Sequence, residues 1–302
     1  GLWVEVEVEK KLGFKNKKDI EEYGIGRFVE KCKEHTKHFA DIQTEQSKRL
    51  GYFMDWGNDY FTMSEENNYA IWHFLKKVWE DGNLYQGRDS VPWCPRCGTA
   101  ISQHEILTEE YQELTHDSVF FKLPVLGSAA KEKSQVLGPL LEPGSGELAA
   151  PLSLLIWTTT PWTISGNMAV AVDPNLDYWL WKTPEGECLI FADPNQEIEK
   201  EHEEEPEPGL NALDVVKDGE KLAVIKGDEL VGLSYLAPYS YLPAAKAVEG
   251  ENKYKVVGAD PMILTVDPSQ GTGLVHIAPG CGSEDFELGK KNDIPALPVI
   301  DE

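Results

Sequence analysis

Positive charge is scarce in this sequence of 302 residues, where 28 Lys and Arg stand against 52 Asp and Glu for a net charge of −24. A broad nucleic-acid-binding surface needs clustered Lys and Arg for its phosphate contacts. Such a surface is therefore excluded, and any contact with RNA is expected to be small and local. The net charge is −3 over residues 1–90 and −21 over the rest, and the glutamate-rich run 197–207 predicts a solvated, mobile loop.

Cysteine and long apolar runs are also scarce. The five cysteines are odd in number and spread along the chain, which excludes a disulfide framework and indicates a reducing, cytoplasmic compartment. No apolar run approaches the ~20 residues that span a bilayer, and the first residues lack the basic and apolar regions of a signal peptide. Because the sequence starts without Met and inside a predicted strand, we expect it to be a piece of a longer chain.

The first third of the sequence is typical of an α/β segment in which helices predominate. Residues 3–9 alternate apolar and acidic side chains, a period of two that predicts a short strand. Residues 19–50 are compatible with helix, and Gly24 and Gly26 are expected to divide them into two helices. Ser64 is a candidate N-cap and Gly82 a candidate end of a further helix with one apolar face.

From Ser118 onward the sequence changes to short runs rich in β-forming residues, separated by turns with Pro and Gly. Many short strands with such punctuation predict a barrel or closed sheet. The boundary between the two parts is expected near residues 90–115. The predicted strands are 119–123, 152–160, 168–172, 178–181, 189–191, 222–225, 255–257, 263–266 and 274–277.

A Cys-x-x-Cys turn at Cys94 and Cys97, followed by Gly98, supplies two of the four ligands of a tetrahedral zinc site. The sequence holds no second pair, and no further His or Cys has a convincing spacing; the candidates are Cys32, His104, His116, Cys188 and Cys281. We expect half of a zinc knuckle whose other half lies beyond residue 302. A turn without metal and a redox dithiol are the alternatives, although the strand–helix context of a thioredoxin-like motif is missing.

Three consecutive threonines, Thr158 to Thr160, follow the apolar run 152–156 and precede Pro161. Threonines are ordinary strand residues, so composition favours a structural role. Pro161 should end the strand ladder, however, and free hydroxyl and backbone groups for a ligand. Both interpretations stay open on the residues alone.

Residues 271–286 form a glycine-rich turn, a short strand and a second glycine-rich turn that leads into a helix. Ser283 is a candidate N-cap, and Glu284 and Asp285 fall in the first turn, where acids complement the helix dipole. The turns do not match a P-loop, because no Gly-Lys-Ser/Thr follows. A lone His276 on a strand is more often a satisfied core residue than a catalyst.

Taken in this order, the three motifs resemble those of the class I aminoacyl-tRNA synthetases for isoleucine, valine and leucine. The valine and leucine enzymes typically have Thr-Thr-Arg-Pro, whereas this sequence has Thr-Thr-Thr-Pro-Trp-Thr followed by Asn167, with His276 after Val275. The isoleucyl enzymes are therefore the closest match. Residues 1–90 look like the catalytic Rossmann domain, but neither His-x-Gly-His nor Lys-Met-Ser-Lys-Ser is present, so amino-acid activation is not expected.

The resemblance implies an α/β fold in which a β-barrel-like editing domain is inserted in a partial Rossmann-type catalytic domain. The implied divisions are a catalytic segment 1–92, a zinc half-site and connector 93–112, and an editing domain 113–302. The implied activity is hydrolysis of valine from mischarged Val-tRNA(Ile), with valyl-adenylate as a second substrate. A fragment that only binds the tRNA acceptor end, and an editing domain of a valyl or leucyl relative, are the alternatives.

The resemblance also implies residue roles and partners. Thr158, Thr159 and Thr160 would surround the terminal adenosine and the ester, and Asp285 would bind the α-ammonium group. His276 would border the side-chain pocket, and Trp162, Thr163 and Asn167 would support substrate binding. The expected partners are the 3′ end of tRNA(Ile) carrying valine and the rest of the synthetase chain. Editing itself needs no cofactor, and zinc would belong only to Cys94 and Cys97.

Overall fold

A computed structural model describes residues 1–108, 114–140, 148–196, 210–216 and 218–299. The glutamate-rich run 197–207 lies outside these residues. The chain divides into two compact units, the first formed by Gly1–Arg88 with Pro92–Glu110 and the second by Asp89–Val91 with Tyr111–Glu302. The three-part division drawn from the sequence remains a prediction.

The first unit is mainly helical. Its helices are α1 (Leu2–Leu12), α2 (Lys17–Tyr23), α3 (Ile25–Arg49), α4 (Glu65–Glu80) and α5 (Gln103–Thr108), and its two short strands are β1 (Trp93–Cys94) and β2 (Thr99–Ala100).

The strand predicted at residues 3–9 is wrong, because these residues belong to α1. An alternation of period two also places apolar side chains four residues apart, which is one face of a helix. Val8 is buried there with Ile20 and Phe28, and Val4 and Leu12 pack against them. The pattern was therefore compatible with either structure, and packing against α2 and α3 selected the helix.

The helix boundaries of this unit follow local signals. Gly24 separates α2 from α3, whereas Gly26 lies inside α3. Ser64 caps α4 as predicted, since its hydroxyl accepts a hydrogen bond from the Asn67 N–H at 3.2 Å. Gly82 follows α4 with a positive φ of 74°. The apolar face predicted for α4 is not buried, and Trp72 and Trp79 on it are exposed.

The described residues of the second unit form the remaining strands and six short helices. The strands are β3 (Val119–Pro124), β4 (Leu152–Thr158), β5 (Ala169–Val172), β6 (Asp177–Lys182), β7 (Cys188–Ala192), β8 (Glu220–Lys226), β9 (Lys255–Gly258) and β10 (Val275–Ile277). The helices are α6 (Gly127–Glu132), α7 (Ser134–Leu137), α8 (Ala212–Val215), α9 (Gly227–Leu230), α10 (Pro243–Ala247) and α11 (Ser283–Asn292), with 3₁₀ turns at Gly138–Leu140 and Pro161–Gly166.

The strand predicted at 263–266 is absent, and its residues follow a turn instead. Asp260 accepts the N–H groups of Ile263 and Leu264 through its carbonyl and that of Met262 through its carboxylate. An Asp that bonds its own backbone two residues on, with Pro next to it, stabilises a turn in preference to a strand.

The described strands of the second unit form two open sheets. The larger has the order β3-β4-β7-β6-β8 and the smaller has the order β10-β5-β9, each with one parallel pair among antiparallel ones. The predicted closed barrel is not found among the described residues. Among the described residues, three isolated bridges lie outside these ladders: Val125 with Tyr235, Asn211 with Gly271 and Ser234 with Lys255. One bridged residue at a time makes no continuous ladder, and a barrel requires one.

The core of the second unit explains where the site lies. Every residue of β5 and β7 is buried, which is expected for strands covered on both faces. Buried Tyr178 of β6 donates to the Gly273 carbonyl at 2.9 Å and accepts from the Asp173 N–H at 3.0 Å, fixing the loop before β10.

No helix of the described residues has the length and apolar character needed to cross a membrane.

Candidate functional site

A cavity of about 610 Å³ opens in the second unit where β4 ends. Its walls are the threonine motif, the loop 264–273, β10 and the beginning of α11. The structure thereby brings together seven residues singled out in the sequence: Thr158, Thr159, Thr160, Trp162, Thr163, His276 and Asp285. Asn167 lies behind His276, to which it is hydrogen-bonded, and Cys94 and Cys97 belong to the first unit.

The threonine motif is a strand end converted into a 3₁₀ turn. β4 stops at Thr158, and the turn begins at Pro161, as expected of a residue that cannot donate to a ladder. The Thr160 N–H donates to the Thr158 hydroxyl at 3.1 Å. Thr158 is buried, whereas Thr159 and Thr160 are exposed at the cavity, so these two are the threonines a ligand can reach.

His276 is buried in the cavity wall with both ring nitrogens hydrogen-bonded. Its Nδ1 lies 2.9 Å from Asn167 Nδ2, and its Nε2 lies 2.9 Å from the Thr163 hydroxyl. The Asn167 amide is oriented by two further bonds, since Oδ1 accepts from the Tyr235 hydroxyl at 2.8 Å and Nδ2 donates to the Ala169 carbonyl at 3.1 Å. The Thr163 hydroxyl donates to the Thr160 carbonyl at 2.8 Å.

These bonds assign the protonation state of His276. Because Asn167 Nδ2 is a donor, the Nδ1 atom of His276 accepts, and the ring proton resides on Nε2. The Nε2–H then donates to Thr163, whose own proton goes to the Thr160 carbonyl. Burial lowers the pKa of His276 to about 4, so the ring is neutral at pH 7. With Nε2 protonated and Nδ1 engaged, the ring has no lone pair free to act as a general base.

Asp285 places a buried carboxylate in the wall beside the threonines. It lies in the first turn of α11, and its Oδ2 accepts the Ala278 N–H at 2.8 Å. Burial raises its pKa and the charge of Glu284 raises it further, while the Ala278 bond lowers it. A cation bound here would compensate the charge that burial disfavours. α11 begins at Ser283 with Gly282 as cap residue, so the predicted Ser283 cap is wrong: its hydroxyl bonds Glu284 instead.

Several cavity residues were not found from the sequence. Leu264 and Gln270 reach the cavity from a loop that has no motif. His116, considered only as a zinc ligand, does not line the cavity but bonds the Thr159 carbonyl through Nε2 at 2.8 Å, and its ring lies 5.8 Å from that of Trp162. The Cys281 thiol also lines the cavity, and burial together with Asp285 raises its pKa, which favours the unreactive thiol form.

Cys94 and Cys97 lie at a tight hairpin in which β1 pairs with β2. Two hydrogen bonds from Cys97 lower the pKa of Cys94, and the bond from its backbone has the larger effect. A lowered pKa suits a thiolate ligand. No group of three or more His, Cys, Asp or Glu in the described part of the chain could hold a metal ion. The zinc half-site at Cys94 and Cys97 stays a prediction.

Comparison with known proteins decides the family. A family described as tRNA synthetases class I (I, L, M and V) matches residues 1–269 of this sequence. The chain belongs to the class I tRNA synthetases.

Among relatives of this class I chain, the isoleucine–tRNA ligase of Pyrococcus furiosus is 38% identical over 307 residues, covering 100% of this chain and 25% of the relative. That of Clostridium acetobutylicum is 36% identical over 303 residues, covering 99% of this chain and 24% of the relative. These relatives confirm the resemblance drawn from the motifs. The chain spans about a quarter of the length of the curated relatives it matches.

Two solved structures are similar to the class I chain at a greater distance. The editing domain of the P. knowlesi cytosolic leucyl-tRNA synthetase has a TM-score of 0.39 and 14% identity, covering 58% of this chain and 63% of that one. The corresponding P. falciparum domain has a TM-score of 0.37 and 16% identity, covering 58% and 66%.

Proposed function

We propose that the second unit hydrolyses the ester of a misacylated tRNA, and that its substrate is tRNA(Ile) carrying valine. The observation that carries this proposal is the convergence of Thr159, Thr160, His276 and Asp285 on one cavity from distant parts of the chain. The similarity of the chain to isoleucine–tRNA ligases supports the choice of amino acid. Valyl-adenylate, which presents the same ammonium group and side chain, is proposed as a second substrate.

The need for such a site follows from the small difference between two amino acids. Isoleucine exceeds valine by one methylene, which limits discrimination by binding to ~1–3 kcal/mol, a limit for which the isoleucyl enzymes are the standard example. A second site that admits valine and rejects isoleucine by size removes the errors. A rigid wall is needed for that rejection, and a buried ring hydrogen-bonded at both nitrogens supplies one.

Asp285 is proposed to bind the α-ammonium group. An ammonium–carboxylate bond is charge-assisted, and the paired cation would stabilise the ionised form that burial disfavours. The carboxylate then fixes the amino-acid end while the exposed hydroxyls of Thr159 and Thr160 contact the ester and ribose without adding charge.

Water is proposed to attack the ester carbonyl directly. His276 is neutral and has no free nitrogen lone pair, so it acts as a wall and not as the base. The catalytic contribution of the site is then orientation of the ester and of the water, which can lower a barrier substantially. A ribose hydroxyl of the tRNA is suited to assist the attack.

The partners of this site are the tRNA acceptor end and the rest of the synthetase chain. The acidity of the sequence, −21 beyond residue 90, is consistent with contact to the 3′ end alone. A tRNA body would need basic surface supplied elsewhere.

Hydrolysis of Val-tRNA(Ile) and Ile-tRNA(Ile) by the 302-residue chain tests the proposal. Rapid release of valine with slow release of isoleucine is expected. Binding of the acceptor end without hydrolysis would replace the proposal by a non-catalytic role, and equal hydrolysis of both esters would remove the valine specificity.

His276→Ala provides the matched test of the wall. Truncation to a methyl group leaves room for one more methylene, so release of isoleucine from Ile-tRNA(Ile) is expected to rise by roughly 10- to 200-fold relative to that of valine. The melting temperature is followed in parallel to show that the variant is folded. An unchanged preference for the valyl ester would return His276 to the role of a core histidine.

A further inference from the structure

Tyr235 is a buried residue that no motif indicated and that does not line the cavity. Its side chain is 2% exposed, and its hydroxyl donates to Asn167 Oδ1 at 2.8 Å. Its backbone is held by the bridge to Val125 and by a bond from its N–H to the Tyr254 carbonyl. Burial raises the pKa of this phenol well above its ordinary value, so the hydroxyl remains a donor.

The hydroxyl of Tyr235 determines which end of the Asn167 amide faces His276. With Oδ1 accepting from Tyr235, Nδ2 is directed at the Ala169 carbonyl and at His276 Nδ1. An amide turned by 180° would set its oxygen against the Ala169 carbonyl and its NH₂ group against the Tyr235 hydroxyl, whose own proton would then lose its acceptor. The Tyr235 hydroxyl and the Ala169 carbonyl thus favour the same orientation of the Asn167 amide.

From Asn167 the orientation passes through His276 to the cavity. Nδ1 accepts, Nε2–H donates to Thr163, and Thr163 donates to the carbonyl of Thr160. Phe121 packs edge-on against the His276 ring, with centroids 6.3 Å apart, and fixes the plane of the ring. One buried chain of hydrogen bonds therefore runs in a single direction from the phenol to the threonine motif.

We propose that Tyr235 is a positioning residue for substrate specificity, holding His276 through Asn167 as a rigid, neutral Nε2–H ring at the cavity wall. The part of this inference that concerns substrate specificity rests on the proposed editing function. The arrangement of the ring itself does not depend on that function.

Tyr235→Phe in the 302-residue chain removes the donor and keeps the ring. Tyr254→Phe is the matched control, because its ring lies 6.5 Å from that of Tyr235 and its buried hydroxyl has no hydrogen-bond partner among the described residues. Asn167→Asp is the reference for the opposite tautomer of the His276 ring. An ionised carboxylate at this position can only accept, so His276 is then expected to carry a proton on Nδ1.

The readout is the pair of imidazole ¹⁵N chemical shifts of His276, assigned by their loss in His276→Gln. Wild type and Tyr254→Phe are expected to show one Nε2–H tautomer, and Asn167→Asp the Nδ1–H form. Tyr235→Phe is expected to show a mixture or exchange broadening, because only the Ala169 carbonyl still orients the amide. Shifts in Tyr235→Phe identical to those of Tyr254→Phe would overturn the proposal.

Hydrolysis of the two esters tests the consequence for specificity. The ratio of valyl to isoleucyl hydrolysis is expected to fall roughly twofold to tenfold in Tyr235→Phe, the order of one neutral hydrogen bond, and to stay unchanged in Tyr254→Phe. Altered shifts with an unchanged ratio would overturn the role in specificity. Absence of hydrolysis in the wild type would refute the proposed function and leave the ¹⁵N result as an independent answer about Tyr235.

Discussion

At the scale of single residues, Asp285 illustrates a conflict between stability and binding. Its carboxylate is buried, and the raised pKa shows that the folded chain disfavours the charged form. A folded-state pKa above the unfolded one means that this group stabilises the fold at low pH, and that the stability is lost as the pH rises through the folded value. Ionisation of Asp285 therefore costs the folded chain stability unless a cation pairs with it, and perturbed carboxyl groups of this kind are typical of functional sites.

Asp285→Asn is therefore expected to lower hydrolysis of Val-tRNA(Ile) and to raise the melting temperature at neutral pH. The amide can still accept the Ala278 N–H but cannot pair with an ammonium group, and loss of such a charged bond corresponds to roughly 10- to 100-fold in kcat/KM. Kinetics and thermal unfolding at pH 7.5 measure both effects. Near-normal hydrolysis would remove Asp285 from the site.

The contribution of His276 to stability is expected to change with pH in the direction opposite to that of Asp285. Its folded pKa of about 4 lies below the ordinary value of 6.5, so its contribution is present above pH 6.5 and is lost as the pH falls towards 4. The fall of the pKa from 6.5 to about 4 corresponds to roughly 3 kcal/mol of stability.

The difference in unfolding free energy between wild type and His276→Gln measured from pH 7 to pH 4 checks this value. Taking the difference cancels the contribution of Asp285, which acts in the other direction. The advantage of wild type is expected to shrink on acidification. A pH-independent difference for His276→Gln would contradict the assignment.

At the scale of elements, the loop before β10 is held in place by a close approach to β7. Gly273 has a positive φ of 62°, and a Cβ there would lie 2.2 Å from the Cβ of Ala192. This contact and the bond from Tyr178 to the Gly273 carbonyl keep β10, and with it His276, at the cavity.

Gly273→Ala is expected to destabilise the chain by about 2–5 kcal/mol, the sum of a left-handed backbone penalty and of steric overlap. Gly186→Ala is the matched control, with a φ of 88° and nothing within 4 Å of the added Cβ. It should cost only about 1–2 kcal/mol. Chemical denaturation of both variants compares them, and equal losses would show that the overlap is relieved by movement of β7.

At the scale of the whole molecule, the cysteine pair of the first unit leads to a prediction about the zinc content of the chain. Two thiolates cannot fill a tetrahedral zinc site, and the described residues offer no cluster of three ligands. The purified 302-residue chain is therefore expected to hold less than one zinc per molecule.

Metal analysis after dialysis checks this, with Cys94→Ser as the control. One tightly held zinc per chain that disappears in Cys94→Ser would mean that other residues complete the site. His104→Ala would then be the next variant to examine, because His104 follows β2 in the same unit.

How far the sequence predicts this molecule differs between local and long-range features. Ser64 caps α4 and Pro161 ends β4 because capping and loss of a donor act within one turn of the chain. Most strands of the second unit were predicted for the same reason, since short β-forming runs lie between strong turn residues. Seven residues of the cavity were named from motifs, and their roles stay predictions.

Tertiary structure decided what local pattern left open. The alternation at residues 3–9 satisfies both a strand and a helix, and only burial of Val8 against Ile20 and Phe28 selects α1. The same holds for the open sheets found in place of a barrel, because closure depends on pairing between distant strands. Tyr235 reaches Asn167 across 68 residues of sequence, and a bond of that range has no periodicity or spacing from which it could be read.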